Sequence, residues 1–327
     1  MKIFLTGGTG FIGRLLVKKL AEEGNEVRLL LRNPEKSKGL NHPGISFIPG
    51  DLDNIRTLEE GMNGCDRVFH LAAYAKPWSK DPDLPYRTNV IGTINVLEAA
   101  LKNHVQRVVV TSTAGTMGYS ENGVLVSEKT NRNPEYHSIY EKTKALAEEK
   151  AREYAACGLH VVIVNPSRVY GPGLLSVSNS VTKMIKYYTE GIWRIIPGDG
   201  QSIGNYVFVD DVVTGHILAA ETGKPGERYL LGGQNISFNE FFELLGNVTG
   251  KKRFMIHLAP WLMKSMASGM ENMAKLTGIC PLITKAFLEK YLCNWGLDCT
   301  KSKNELGYKY CSIEEGIMKT LMWLKNN

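Results

Sequence analysis

The sequence predicts an α/β protein with a doubly wound parallel sheet and a smaller, interleaved C-terminal lobe. Three observations predict this fold. Short apolar strands alternate with helical segments through the first half of the chain, a glycine-rich loop follows the first strand, and the alternation ends after Pro166. The 327 residues suffice for one large α/β domain and a second lobe.

The first half contains six predicted strands and the helices that connect them. The strands cover residues 2–5, 27–31, 45–48, 67–71, 108–111 and 161–165, and the helices cover 11–23, a segment ending at 62, about 86–102 and about 138–157. Strands joined through helices of this length pair in parallel by crossover connections. The order of elements therefore predicts helices on both faces of one sheet.

The glycine-rich loop lies between the first predicted strand and the first predicted helix. Gly7, Gly10 and Gly13 have the spacing and the context of a dinucleotide-binding fingerprint. Glycines there allow a tight turn and a close approach of the backbone to a pyrophosphate, which the N-terminus of the helix attracts. An ordinary strand-to-helix turn is the alternative for three glycines alone. With the strand and helix in place, the loop indicates a Rossmann-type dinucleotide-binding domain.

The domain organisation follows from the loss of alternation after Pro166. Loops rich in Gly and Pro at 170–173 and 197–204 separate isolated helices and short strands, whereas 206–209 and 229–231 are predicted to return to the large sheet. Residues 1–165 and about 205–231 are therefore assigned to the dinucleotide-binding domain. Residues about 166–204 and 232–327 are assigned to a substrate-binding lobe.

The end of the second strand indicates which dinucleotide binds. A carboxylate at this position would bond the free ribose 2′-hydroxyl of NAD, whereas an arginine accommodates the 2′-phosphate of NADP. Arg32 closes the strand, Lys36 follows, and no carboxylate occupies the position. The sequence favours NADP, and NAD stays open because a solvated surface arginine is the alternative.

A candidate catalytic group lies on the helix after the fifth strand. Tyr140 and Lys144 are four residues apart, so both project from one face of that helix. A nearby cation favours the phenolate, which makes such a pair a general acid/base beside a nicotinamide. The fifth strand delivers Thr111, Ser112 and Thr113 to the sheet edge where ligands bind. The alternatives are a surface helix for the pair and a strand-end cap for each hydroxyl.

Seven motifs occur together along the chain. They are 6–13 (TGGTGFIG), 50–52 (GDL), 70–73 (HLAA), 89–93 (NVIGT), 111–113 (TST), Tyr140 with Lys144, and 170–173 (YGPG). In this order they resemble the extended short-chain dehydrogenase/reductase family, also called the NAD-dependent epimerase/dehydratase family. The dihydroflavonol 4-reductase-like branch is the most similar.

The resemblance implies roles for individual residues. Thr113, Tyr140 and Lys144 would form the catalytic trio, with Thr113 where many members carry serine. Arg32 and Lys36, at and after the end of the second strand, are added to the cofactor-binding residues that the resemblance implies. The full set is Gly7, Thr9, Gly10, Phe11, Ile12, Gly13, Arg32, Lys36, Asp51, Leu52, Leu71, Ala72, Ala73, Asn89, Thr111, Ser112, Tyr140, Lys144, Pro166, Ser167 and Val169. Family members are often dimers through the helices after strands four and five, so a homodimer is expected.

Two departures from the family pattern narrow the chemistry. Sugar-nucleotide dehydratases of the family carry an Asp-Glu pair after the fifth-strand hydroxyl, where this chain has Ala114 and Gly115. Many sugar-nucleotide members hold the diphosphate with an arginine where this chain has Gly204, although Arg194 or Lys183 could replace it. Both departures point away from a sugar-nucleotide substrate.

The sequence therefore favours an NADP-dependent oxidoreductase that reduces a carbonyl, or oxidises the alcohol, of a small organic substrate with Tyr140 as acid/base. A sugar or sugar-nucleotide epimerase with tightly bound NAD is one alternative, and it would show no net cofactor consumption. A non-catalytic NADP-binding regulator is an alternative of another class. Tyr74, Trp78, Met117 and Trp193 are candidate substrate contacts, with loop packing as their alternative.

Net charge, cysteine spacing and the N-terminal sequence indicate which partners and which cellular location to expect. The net charge of +6 is spread along the chain without a like-charge block, so we expect neither nucleic acid nor a membrane as partner. The six cysteines, Cys65, Cys157, Cys280, Cys293, Cys299 and Cys311, lack metal-ligand spacing and predict reduced thiols without a metal site. With no signal-peptide pattern at the start, the expected location is cytoplasmic.

Overall fold

The computed structural model shows twelve strands among the residues it describes, and seven of them form one large sheet. The structure describes residues 1–76, 78–130, 136–277, 281 and 284–326, so Cys280 lies outside the described residues. The strands are β1 (Lys2–Thr6), β2 (Glu26–Leu31), β3 (Ile45–Pro49), β4 (Arg67–His70), β5 (Arg107–Thr111), β6 (Val161–Pro166), β7 (Arg168–Tyr170), β8 (Ile195–Pro197), β9 (Ile203–Phe208), β10 (Arg228–Leu231), β11 (Gln234–Ser237) and β12 (Ile256–Leu258). The large sheet has the order β10-β6-β5-β4-β1-β2-β3, and every pairing in it is parallel. The predicted doubly wound parallel sheet is confirmed.

Helices connect these strands and cover both faces of the large sheet. They are α1 (Phe11–Glu22), α2 (Ile55–Met62), α3 (Leu84–Tyr86), α4 (Gly92–Lys102), α5 (Ile139–Ala156), α6 (Ser180–Thr189), α7 (Val209–Thr222), α8 (Phe238–Thr249), α9 (Pro260–Thr277), α10 (Lys285–Leu292), α11 (Thr300–Leu306) and α12 (Ile313–Lys325). A π-helical turn, Arg87–Ile91, joins α3 to α4. The Ser138 side chain accepts a hydrogen bond from the backbone N–H of Glu141, which caps α5 at its first turn.

The two faces of the sheet bury different side chains of the same strands. Ile3 and Leu5 of β1 belong to one hydrophobic cluster, whereas Phe4 between them belongs to another. This alternation is the period-two pattern of a strand covered on both sides. Residues of α1 and α7 pack into the first cluster, and residues of α2, α4 and α5 pack into the second. The strand ends are thereby fixed at one edge of the sheet.

The C-terminal lobe has two small sheets of its own. One has the order β11-β9-β7, and the other pairs β12 with β8. The return of 229–231 to the large sheet is confirmed as β10, but the predicted return of 206–209 is wrong. Tyr206 and Phe208 of β9 bury their rings in a cluster with Tyr170, Phe238 and Phe241. Burial of these aromatic rings therefore places β9 in the lobe and not in the large sheet.

Neither a membrane span nor a metal cluster is found in the described part of the chain. No described helix combines the length and the apolar character needed to cross a membrane. The described residues also contain no group of three or more His, Cys, Asp or Glu side chains that could hold a metal ion. The five cysteines within this part form no disulfide in the structure.

Two buried histidines are held neutral in the interior. His70 bonds Thr6 Oγ1 through Nδ1 at 2.7 Å and Thr93 Oγ1 through Nε2 at 3.0 Å. His216 bonds Thr111 Oγ1 through Nε2 at 2.9 Å. Burial lowers the pKa of His70 to about 3, with the Lys144 charge adding to this, and lowers the pKa of His216 to about 4. In the unfolded chain these imidazoles take up a proton near pH 6.5, whereas in the folded chain they stay neutral to lower pH. The free energy of unfolding therefore decreases as the pH falls from about 6.5 towards the folded-state pKa values.

We expect each of these two histidines to remove about 2 kcal/mol from the free energy of unfolding between pH 7.5 and pH 5. Urea unfolding at the two pH values measures the loss. His216→Gln should reduce the loss by about 2 kcal/mol, because one proton-accepting group is absent from the unfolded chain. His42→Gln, at an exposed side chain, is the control and should leave the loss unchanged. An equal effect of both variants would contradict the prediction.

Candidate active site

A cavity of about 910 Å³ runs from the glycine-rich loop along the carboxyl edge of the large sheet into the C-terminal lobe. This edge is where open α/β sheets bind ligands. The predicted site residues in its wall are Gly7, Thr9, Gly10, Phe11, Ile12, Gly13, Arg32, Lys36, Asp51, Leu52, Leu71, Ala72, Ala73, Thr111, Ser112, Thr113, Tyr140, Pro166, Ser167, Val169 and Trp193. The structure therefore brings together most of the residues that the sequence singles out.

Two glycines of the loop are required by close backbone packing. Gly7 has a φ of +76°, and a Cβ there would lie 2.4 Å from the backbone nitrogen of Ala72. A Cβ at Gly13 would lie 2.3 Å from the carbonyl oxygen of Gly7. Gly10 is the N-cap of α1 and has no side chain to cap the helix. The N-terminus of α1 therefore faces the cavity with free N–H groups, which suits a pyrophosphate.

Basic side chains lie at the end of β2. Arg32 Nη1 is 3.5 Å from Asp51 Oδ2, and the Arg32 side chain is 69% exposed. Lys36 lies in the cavity wall on a short 3-10 turn, and Arg14 donates hydrogen bonds to the carbonyl oxygens of Lys36 and Lys38. Arg32 is thus accessible to an anion at this end of the cavity, although Asp51 competes for its charge.

Thr113 presents a hydroxyl at the end of β5. Its Oγ1 accepts a hydrogen bond from the backbone N–H of Gly115 at 3.3 Å, so the hydroxyl proton stays available to a substrate oxygen. Behind it, Glu148 Oε1 accepts hydrogen bonds from Ser112 Oγ at 2.5 Å, Thr116 Oγ1 at 2.7 Å and Asn165 Nδ2 at 2.7 Å. This buried network fixes the strand end that carries Thr113.

Tyr140 and Lys144 occupy the first two turns of α5. Tyr140 is half-buried in the cavity wall, and burial, together with the Glu141 charge, raises its pKa to about 12. The Lys144 charge is not among the causes of this raised pKa, so the expectation that Lys144 favours the phenolate of Tyr140 stays a prediction. Burial lowers the pKa of Lys144 to about 8 against the opposing charge of Glu148. At neutral pH Tyr140 is protonated and can donate a proton.

Lys144 is buried without a hydrogen-bond partner. Its side chain is 1% exposed, and its Nζ finds no acceptor in the described part of the chain. The hydroxyl of Ser167, a residue of the cavity wall, is likewise buried without a partner. Buried polar groups usually have hydrogen-bond partners, so these two atoms are available to a ligand that carries hydrogen-bonding groups. The ribose hydroxyls of a dinucleotide supply such groups, and the residues present fit that cofactor.

Asn89 does not reach the cavity, in contrast to the role that the resemblance implies. It is fully buried, and its Oδ1 accepts a hydrogen bond from the Tyr74 backbone N–H at 2.7 Å. Its Nδ2 donates to the Tyr74 carbonyl at 3.2 Å and to Thr143 Oγ1 at 2.9 Å. With these groups used inside the protein, Asn89 ties the loop after β4 to α5 and thereby supports Tyr140.

Three of the four candidate substrate contacts also lie away from the cavity wall. The Tyr74 hydroxyl donates to the Trp78 carbonyl oxygen at 2.9 Å, which is the loop packing given as the alternative. Met117 is 1% exposed and packs in a cluster with Val126 and Leu297, so its assignment as a substrate contact is wrong. Burial of an apolar thioether in a closed cluster explains this position. Only Trp193 of the four lies in the cavity wall.

The cavity wall contains residues that sequence reasoning missed. Glu141 is fully buried beside Tyr140, and its Oε1 lies 2.6 Å from Lys290 Nζ of α10. A Cβ at Gly115 would lie 2.9 Å from the same Oε1, so Glu141 fills the space of the missing carboxylate pair. Other missed residues of the lobe include Arg168, Val181, Met184, Tyr187, Tyr206, Phe238, Tyr291 and Trp295. Of these, Arg168 alone lies between residues predicted to bind the cofactor, Ser167 and Val169.

Comparison with known families agrees with this geometry. The family model described as "NAD dependent epimerase/dehydratase family" matches residues 3–232. The chain belongs to this family. A protein of Synechocystis sp. named as a dihydroflavonol 4-reductase is 32% identical over 99% of this chain and 94% of the relative. Sterol demethylase protein B of Methylococcus capsulatus is 29% identical over 99% of this chain and 98% of its own.

Solved structures of the family share the fold. The UDP-glucose 4-epimerase of Thermotoga maritima, solved with UDP-glucose, has a TM-score of 0.82 at 26% identity, over 100% of this chain and 99% of that one. Taken with the named relatives, this makes the protein an NAD(P)-dependent enzyme of the extended short-chain dehydrogenase/reductase type, similar to the dihydroflavonol 4-reductase branch. The family accommodates both reductases and epimerases, so local residues decide between them.

One departure from the family pattern has a structural counterpart. A Cβ at Gly204 would lie 2.5 Å from Nη1 of Arg168 and 2.8 Å from the ring of Tyr206. The Arg168 guanidinium, carried by β7, therefore occupies the space beside Gly204. Lys183 lies in the cavity wall, whereas the Nε of Arg194 donates to the Gly191 carbonyl oxygen outside it. Arg168 thus places a positive charge beside Gly204, the position where sugar-nucleotide members of the family carry an arginine.

Proposed function

We propose that the protein is an NADP-dependent oxidoreductase that reduces the carbonyl of a small organic substrate, or oxidises the corresponding alcohol. The observation that carries this proposal is the position of the Tyr140 phenol in the cavity wall, one turn before the buried and unpartnered Lys144. A reductase needs a proton donor at the carbonyl oxygen and a fixed cation at the cofactor. This pair meets both needs.

The roles of the residues follow from their hydrogen-bonding groups. Thr113 would donate its free hydroxyl proton to the substrate oxygen and hold it near Tyr140. Tyr140 would give its proton to that oxygen, and Lys144 Nζ would donate hydrogen bonds to the nicotinamide ribose. The reduced nicotinamide, when bound, supplies hydride to the carbonyl carbon. Gly7, Gly10 and the N-terminus of α1 would hold the pyrophosphate.

We expect the protein to oxidise NADPH in the presence of at least one apolar or aromatic carbonyl compound. The kcat/KM for NADPH should exceed the kcat/KM for NADH by a factor of about ten or more. Loss of absorbance at the reduced-nicotinamide band, with a panel of aldehydes and ketones, measures both quantities. Arg32→Ala should remove most of the preference by raising the KM for NADPH about tenfold. A charge-assisted hydrogen bond to a phosphate has this magnitude.

The control is Lys38→Ala, which removes a nearby positive charge outside the cavity wall. Lys38 Nζ lies 3.1 Å from Glu35 Oε2, so its charge is engaged on the surface. This variant should leave the ratio of the two cofactors unchanged. Preference for NADH in the unmodified protein, or an equal effect of the two variants, would overturn the assignment of NADP.

A sugar or sugar-nucleotide epimerase with tightly bound NAD is the second candidate, and the likeness to the UDP-glucose 4-epimerase favours it. Such an enzyme regenerates its cofactor in each turnover, so NAD would copurify and no net oxidation would occur. A non-catalytic regulator has less support, because such a protein needs none of Thr113, Tyr140 and Lys144. Assembly as a homodimer through α4 and α5 stays a prediction.

A further inference from the structure

Arg168 lies in the wall of the cavity, and three aromatic rings surround its guanidinium group. The guanidinium carbon is 5.5 Å from the ring centroid of Tyr206, 5.4 Å from that of Phe238 and 5.8 Å from that of Tyr291. Aromatic faces at such distances attract a guanidinium and fix its orientation. They carry no net negative charge, so they position Arg168 without neutralising it.

The hydrogen bonds that Arg168 makes within the protein go to neutral acceptors. Nη1 donates to the Tyr206 hydroxyl at 3.2 Å, and Nη2 donates to the backbone carbonyl oxygen of Lys290 at 3.2 Å. A guanidinium has further N–H groups in the same plane. The half-buried Arg168 therefore has N–H donors left for a ligand in the cavity.

The acidic residues of the cavity wall are already paired with other cations. Asp51 lies 3.5 Å from Arg32, and Glu141 lies 2.6 Å from the ammonium of Lys290. Within the described residues, Arg168 forms no ion pair with a carboxylate of the protein. A cation that is partly removed from water without a counter-charge is costly, and an anionic ligand restores the balance.

Arg168 and Tyr140 both line the cavity, and Lys290 of α10 contacts each of them. The backbone carbonyl oxygen of Lys290 accepts a hydrogen bond from Arg168. The ammonium group of the same lysine lies 6.0 Å from the ring centroid of Tyr140. The lobe also contributes apolar and aromatic side chains to the wall, among them Val181, Met184 and Trp193. A ligand in the cavity thus meets an unpaired guanidinium as well as apolar and aromatic side chains of the lobe.

We propose that Arg168 binds a carboxylate of the substrate, so that the enzyme acts on an oxo acid or a hydroxy acid whose remaining part is apolar. This inference rests on the proposed function, because it names the substrate class of the same site. A planar carboxylate matches the planar fork of a guanidinium. The carboxylate is unchanged in the reaction: hydride from NADPH adds to the carbonyl carbon, and the proton of Tyr140 adds to its oxygen.

Equilibrium binding tests the inference without turnover. The probes are alkyl and aryl carboxylates of about four to ten carbons, each compared with its neutral primary amide, titrated calorimetrically into the protein in the presence of NADP. We expect the carboxylates to bind about 10- to 100-fold more tightly than the amides. Equal binding of acid and amide, absence of binding by every member, or binding of UDP in place of the carboxylates would overturn the inference.

Variants identify the residue responsible. Arg168→Met should abolish the preference for acid over amide, and Arg168→Lys should keep part of it because a charge remains. Lys183→Met is the matched control, since it removes another cation from the same wall, and it should keep the preference. Loss of the preference in Lys183→Met but not in Arg168→Met would contradict the assignment. Should Arg168→Met fail to fold, the comparison of acid and amide on the unmodified protein still decides.

The two proposals fail in different ways. If the protein is not a reductase, no carbonyl compound causes NADPH oxidation, whatever the acids do. If Arg168 does not bind a carboxylate, acids and amides bind equally, while oxidation of NADPH that depends on Tyr140 persists with neutral carbonyl compounds.

Discussion

Tyr140→Phe should lower the kcat of carbonyl reduction by about 10²- to 10⁴-fold, because it removes the proton donor and leaves the ring in place. The rest of the site keeps its geometry, since no described hydrogen bond of the protein depends on this hydroxyl. The affinity for NADPH should therefore change little. Single-turnover oxidation of NADPH with the best carbonyl compound of the panel measures the chemical step, and fluorescence titration measures cofactor binding.

The expected loss of kcat in Tyr140→Phe depends on the Tyr140 phenol being protonated. Burial raises the pKa of Tyr140 to about 12, so the protonated form is present throughout the neutral range. Tyr140 is then an acid positioned to protonate the developing alkoxide. The Lys290 ammonium, which is paired with Glu141, lies 6.0 Å from the centroid of the same ring.

Tyr187→Phe is the matched control for Tyr140→Phe. It removes a phenolic hydroxyl from the same cavity wall, at a side chain of α6 that is 39% exposed. We expect kcat to stay within about threefold of the unmodified enzyme. A Tyr140→Phe enzyme that keeps a rate within the same range would show that another group donates the proton. Survival of a biological role in an inactive Tyr140→Phe protein would instead favour a regulator.

The sequence allowed those parts of the structure to be predicted that depend on local patterns. Alternating strands and helices gave the large sheet, because each strand and each helix shows its own hydrophobic period. The glycine-rich loop was located for the same reason, since Gly7, Gly10 and Gly13 are close in sequence and their context is a strand followed by a helix. Tyr140 and Lys144 share one helix face, which spacing alone reveals.

Contacts between distant parts of the chain could not be predicted. The rings around Arg168 come from Tyr206, Phe238 and Tyr291, which belong to three different elements of the lobe. The strand at 206–209 was assigned to the wrong sheet because burial of its aromatic residues in the lobe has no local signature. Asn89 was placed at the cofactor on a motif, whereas its hydrogen bonds within the fold keep it in the interior. In each case tertiary packing decides what a short segment leaves open.

Gly7→Ala should destabilise the protein by about 2–5 kcal/mol, the sum of backbone strain at a positive φ and a steric clash. The backbone of Gly7 has a φ of +76°, and an added Cβ would lie 2.4 Å from the nitrogen and 2.8 Å from the Cα of Ala72. Both atoms belong to the main chain after β4, so no side-chain rotation relieves the contact. Urea unfolding of the cofactor-free protein measures the loss.

Gly24→Ala separates the two contributions. Gly24 has a similar φ of +83°, but an added Cβ would meet no atom within 4 Å. Its substitution should therefore cost only the strain, about 1–2 kcal/mol. The excess loss in Gly7→Ala then reports the close approach of the loop to Ala72, which sets the N-terminus of α1 at the cavity. If the two variants are equally stable, this approach is looser than the structure indicates, and the loop would tolerate a side chain where a pyrophosphate is expected to bind.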